Sequence, residues 1–186
     1  EVFAVDPGRS RVRIELGRAG LLKMLGHDHD IEAPIAEGRI EADPEDPGRS
    51  RVSLRFEAAR LAVVPGTEPA KDIPDVEARM RGPEVLDVEH HPQIVFESLR
   101  VEGAAGPDGS YRLRVRGSLE LKGRRTEIEV PLELRREAGG LQATGRLELK
   151  LRDVGIAPPS VGGVVKVANR FRVVFEIHGQ RAGAEP

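Results

Sequence analysis

The sequence predicts an all-β domain, an antiparallel meander of about eight half-buried strands. Three observations carry that prediction. Apolar residues recur at every second position in segment after segment, Pro- and Gly-rich stretches separate those segments, and only one short stretch has helical spacing. A period of two places one set of side chains on one face of a strand, so each segment has an apolar face and a polar face. Such a meander buries its apolar face by packing on a second sheet or by closing on itself. Closure removes exposed edges and leaves an interior that is either packed or able to hold one ligand. Alternation alone leaves sandwich and barrel both open.

The elements follow in order. Val12, Ile14 and Leu16 alternate with Arg13 and Glu15, and the stretch 31–42 is extended but less regular. Asp43-Pro44-Glu45-Asp46-Pro47-Gly48 ends it, because two prolines lack an N–H and glycine favours a turn. Val52, Leu54, Phe56 and Ala58 form the next apolar face. Asp72 is placed to cap a short helix through Met80, with Ile73, Val76 and Met80 on one face and Gly82-Pro83 as its stop. This helix reads as a lid. The stretch 93–101 is again extended. Gly106-Pro107-Asp108-Gly109 then turns the chain into Tyr111, Leu113, Val115, Leu119 and Leu121. Lys122-Gly123-Arg124 is a tighter turn, leading to Ile128, Val130, Leu132 and Leu134. A turn at 137–140 leads to Leu147, Leu149 and Leu151, and the last segment carries Phe171, Val173, Phe175 and Ile177. Residues 1–180 read as one domain, with 181–186 as a frayed tail.

Composition removes several function classes. With 29 basic and 31 acidic side chains the net charge is −2, which gives no general attraction for nucleic acid or an anionic membrane surface. No apolar run approaches the ~18 residues of a spanning helix, so no integral membrane segment is expected. Cysteine is absent, excluding disulfides and thiolate chemistry. Trp is absent and aromatic content is 3%, which argues against stacking platforms for bases or sugars. No serine lies in a G-x-S-x-G elbow and no glycine pair opens a strand-to-helix unit, so the expected protein is not an enzyme. The chain opens on Glu1, compatible with a lost export signal and also with trimming.

Four segments in order resemble the YceI-like family. They are Val5-Asp6-Pro7-Gly8-Arg9-Ser10-Arg11-Val12, the run from Gly82-Pro83 through His90-His91-Pro92 to Ser98, the hairpin Tyr111 to Gly123, and Leu151-Arg152-Asp153-Val154-Gly155-Ile156. The resemblance implies a lipocalin-like antiparallel barrel whose apolar cavity binds a polyisoprenoid or isoprenoid quinone without catalysis. It also implies a periplasmic or secreted location, and no required cofactor beyond such a lipid. Arg9 stands where the family often has His, and Val154 where it usually has an aromatic. A homodimer is compatible with this reading.

On that basis the expected lining residues are Ile14, Leu16, Leu54, Phe56, Phe96, Leu113, Val115, Leu119, Leu147, Leu149, Phe171 and Phe175. The same inward faces also suit a filled core, which would make the barrel a stress-related interaction module. A third reading rests on His27-Asp28-His29-Asp30. On a strand His27 and His29 share a face and could bind a transition metal, as a metal-binding or redox-responsive site, given a further ligand such as His90 or His91. The plainer reading makes each His a partner of a neighbouring Asp, and His90-His91 a junction before Pro92. Arg112, Arg114 and Arg116 are expected to face solvent opposite Glu127, Glu129 and Glu133.

Overall fold

The computed structural model of the chain describes residues 1–18, 29–106, 108–161, 164–165 and 167–182. In chain order the strands are β1 (Val2–Val5), β2 (Arg11–Arg18), β3 (His29–Glu32), β4 (Ile35–Glu41), β5 (Arg51–Glu57) and β6 (Ala62–Val63). After helix α1 (Ile73–Arg81) come β7 (Gln93–Ala105), β8 (Tyr111–Leu121), β9 (Arg124–Glu137) and β10 (Gly140–Lys150). A two-stranded hairpin of β11 (Ser160–Val161) and β12 (Val164–Val165) precedes β13 (Val167–Arg181).

Eight strands close a barrel in the order β1-β4-β5-β7-β8-β9-β10-β13, and β13 pairs back onto β1. Every pairing in the ring is antiparallel. β2 pairs with the same edge of β13 as β1, taking residues 167–176 where β1 takes 179–181, and β3 and β6 follow it in the sheet. Closure, rather than a sandwich, is therefore how the apolar faces are buried. The eight-strand ring matches the expected size, but its closing strand, β1, has no place in the sequence reading. Phe3 and Val5 on β1 are buried, while Ala4 between them is exposed.

The extended stretch 31–42 is two strands. Pro34 lacks the N–H a ladder needs, so β3 stops at Glu32 and pairs with β2 and β6, whereas β4 pairs with β1 and β5. The helix forms where expected, with Ile73, Val76 and Met80 packed against the core. Its ends work differently. Asp72 has αR backbone angles and makes no side-chain cap, so the start is set by Pro74 in the first turn. Gly82 is extended rather than left-handed, as a residue before proline must be. At the chain end, β13 runs through Arg181, and Ala182 N donates to Val2 O at 2.9 Å. Ordered pairing thus enters the stretch expected to fray, because β1 supplies a partner.

One junction in the wall is incomplete. The β9–β10 ladder runs from Glu137↔Gly140 to Leu132↔Gly145 and stops, and the next rung falls on Pro131. From there β9 pairs only with β8, and β10 only with β13. The turn at 151–156 fills this seam. Leu151, Val154 and Ile156 are buried, and Thr126 Oγ1 donates to Asp153 O at 3.1 Å.

The turn between β1 and β2 is fastened to β13. Asp6 N donates to His178 O at 2.8 Å, and the Asp6 carboxylate accepts from Gly8 N and Arg9 N. His178 N donates to the buried Ser10 hydroxyl at 3.0 Å. Ser10→Ala leaves that buried N–H without an acceptor, so it is expected to lower stability by about 1–3 kcal/mol. Urea unfolding measures this, and a shift below about 0.5 kcal/mol refutes the clamp.

Candidate functional site

The inward faces of the barrel surround a cavity of about 300 Å³. All twelve residues expected from alternation together with the family resemblance lie in its wall. Leu54, Phe56, Phe96, Val115, Phe171 and Phe175 are buried, whereas Ile14, Leu16, Leu113, Leu119, Leu147 and Leu149 keep part of their surface accessible. Ile94, Ile128, Leu132, Leu134 and Val173 do the same. Side chains that point inward yet remain accessible face empty space, so the interior is not a filled core.

The space exists because large inward side chains lie against the wall. Gly117 sits opposite Ser98, and a Cβ there would overlap the Phe96 ring and approach Glu97 O at 2.9 Å. Gly145 is the direct partner of Phe175, and a Cβ there would meet the Phe175 ring at 2.5 Å. At Gly38 a Cβ would meet Leu54 Cδ2 at 2.8 Å. These glycines let bulky neighbours lie flat over the adjacent strand instead of reaching across the barrel.

The two ends differ chemically. At one end, α1 and the turns that follow bring Met80, Val85 and Leu86 to the cavity, and the seam filler adds Leu151, Val154 and Ile156. Arg81 holds this end down by donating to Ala59 O and Leu61 O, while Glu77 accepts from Val63 N. At the other end the loop after β4 brings Asp43, Pro44, Pro47 and Ser50 to the cavity, and β8 begins there with Tyr111. The sequence reading missed this polar end. Two of its three polar residues, Asp43 and Ser50, bracket the loop after β4 and meet Tyr111 only through the fold, and the only local signal is the single Tyr of the chain heading an inward-facing series.

The histidines fall elsewhere. His27 lies outside the described residues, and the backbone of His29 pairs with Leu16. Among the described residues no three His, Asp or Glu side chains are grouped to share a metal ion. His90 Nδ1 lies 2.8 Å from Asp87 Oδ1, a contact that raises the His90 pKa above its usual value and lowers that of Asp87. The His91 ring packs beneath Gly123 of the β8–β9 turn. Both thus form the junction before Pro92. His178 is on the outer face, with Nε2 2.9 Å from Glu176 Oε1 and Nδ1 3.4 Å from Glu137 Oε2. That contact, aided by Gln142, holds the Glu176 carboxyl below the usual range. Outside the barrel, Arg116 pairs with Glu127 and Arg114 with Glu129, as expected of a solvated face. Arg112 faces Glu133 in register, but Glu133 bonds Arg135 instead.

The family model for the YceI-like domain matches residues 3–178. The chain belongs to the YceI-like family. Among solved structures, BcnA of Burkholderia cenocepacia superposes with a TM-score of 0.74 at 17% identity, covering 94% of this chain and 98% of that one. A polyisoprenoid binding domain from Saccharophagus degradans, implicated in plant cell wall breakdown, gives 0.68 at 14% identity, covering 96% and 97%. The YceI protein of Campylobacter jejuni gives 0.58 at 13% identity, covering 76% and 78%. No curated protein sequence matches. At these identities the likeness establishes the shared barrel. The YceI-like wall of this chain supplies its own apolar lining, and a barrel lipid-binding role fits both family and cavity.

Proposed function

We propose that this YceI-like barrel binds or carries, without catalysis, an amphiphilic lipid with a polyisoprenoid tail. The observation that carries the reading is the apolar cavity of about 300 Å³, bounded by side chains from both ends of the barrel. A flexible hydrocarbon needs enclosed apolar surface more than directed hydrogen bonds, and each methylene buried is worth roughly 0.8 kcal/mol before ordering costs. A wall of Leu, Val, Ile and Phe supplies that surface. The solved polyisoprenoid binding domain with the same barrel supports the choice of tail.

Native mass spectrometry of gently purified protein, followed by solvent extraction, tests this. The expected result is a discrete co-purified mass that extracts as an isoprenoid lipid. An apo mass, together with no uptake of an isoprenoid quinone or prenyl alcohol on titration, overturns it.

A further inference from the structure

The cavity has a chemical polarity. Among the described residues, the only polar or ionisable side chains in its wall are Asp43, Ser50 and Tyr111, all at the end away from α1, and the wall has no Lys, Arg or His. Resting on the reading of the cavity as a lipid site, we propose that this end receives an uncharged headgroup with a carbonyl or hydroxyl oxygen and discriminates against a phosphate on the same chain.

The donors are in place. Ser50 Oγ accepts from Asp43 N at 3.1 Å, which leaves its own hydroxyl proton to donate. The Tyr111 hydroxyl has no hydrogen-bond partner among the described residues. Each suits a neutral oxygen acceptor.

The same end is poorly built for an anion. Asp43 Oδ1 accepts from Glu45 N and Asp46 N, both at 3.0 Å. These backbone hydrogen bonds, that of Asp46 being the stronger influence, hold its carboxyl below the usual range, so it is ionised at neutral pH. Most cations around this end are committed elsewhere, and Arg112, which Glu133 leaves without an ion pair among the described residues, lies on the outer face of β8 rather than in the wall. Arg49 pairs with Asp46, Arg51 donates to Gly48 O and Ser50 O, and the N-terminal ammonium donates to Ala42 O. Arg136 and Arg181 both engage Glu1. A phosphate here meets a carboxylate and, among the described residues, no cation in the wall, whereas a buried charge needs a partner. A quinone carbonyl or an alcohol carries no such penalty.

The test uses three probes on the full chain: geranylgeraniol, geranylgeranyl monophosphate and squalene, which has isoprenoid surface but no head. Equilibrium titration is expected to show the alcohol binding at least ~10-fold tighter than the monophosphate. Tyr111→Phe is expected to weaken the alcohol about 5-fold, one neutral hydrogen bond, while leaving squalene unchanged. Asp43→Asn, which keeps an oxygen to accept from the loop amides, is expected to narrow the gap between alcohol and phosphate. A monophosphate that binds as tightly as the alcohol overturns the headgroup assignment, and so does a Tyr111→Phe variant with unaltered alcohol affinity. Uptake of none of the three probes overturns the underlying lipid reading instead.

Discussion

Gly145→Ala is expected to destabilise the barrel by about 3 kcal/mol, reversing the usual sign of this substitution in a strand. Replacing a strand glycine by alanine ordinarily stabilises by roughly 0.5–1 kcal/mol, because the unfolded chain loses freedom. Here a Cβ would lie 2.5 Å from the Phe175 ring and also 2.5 Å from Pro131 O. The ring can rotate away, but the carbonyl is backbone and is anchored by the β8–β9 ladder. Gly145 is also the last β10 residue paired with β9 before the wall parts, so a shift there has no further rung to absorb it. Overpacking therefore outweighs the entropic gain. If Phe175 swings inward to relieve the clash, it enters the cavity, and uptake of geranylgeraniol falls along with stability. Gly17→Ala is the control, since its Cβ would meet Ala168 Cβ at an ordinary 3.7 Å. Chemical denaturation of both variants decides the matter. Equal midpoints for Gly145→Ala and Gly17→Ala would sink the wall-packing argument.

The contrast between those glycines marks what the sequence can and cannot disclose. Alternation located the long strands because their side-chain period is fixed by backbone geometry and does not depend on partners. It therefore also identified residues such as Leu113, Leu147 and Phe171 as inward-facing. β1 was invisible because four residues give too little pattern, and its value lies in bridging β4 and β13, a long-range fact. Pro34 divides the stretch 31–42 by lacking a ladder N–H, a signal that the sequence reading of one extended stretch did not take up. Whether the interior was open could not be read at all. It depends on Gly117 and Gly145 meeting Phe96 and Phe175 across strands, and on barrel diameter, neither of which is local. The polar end was hidden for the same reason, since Asp43, Ser50 and Tyr111 converge only after closure.

Leu119→Trp separates an open cavity from a packed core by the sign of its effect on stability. Leu119 faces inward between Phe96 and Thr126 in the ladder and keeps part of its surface accessible. In a close-packed interior the larger ring forces strain of about 1–3 kcal/mol. With about 300 Å³ of space before it, the ring instead covers apolar surface that lines that space. The expected variant is therefore as stable as the parent or slightly more so. Its uptake of geranylgeraniol is expected to fall at least ~10-fold, because the ring occupies area the tail would cover at roughly 25 cal/mol per Å². The chain has no other Trp, so emission reports this position alone. A blue-shifted emission with unchanged unfolding midpoint and lost uptake is the result that the cavity requires. A destabilised variant, or one that still takes up the lipid at full affinity, means that this part of the barrel is packing and that the tail lies elsewhere.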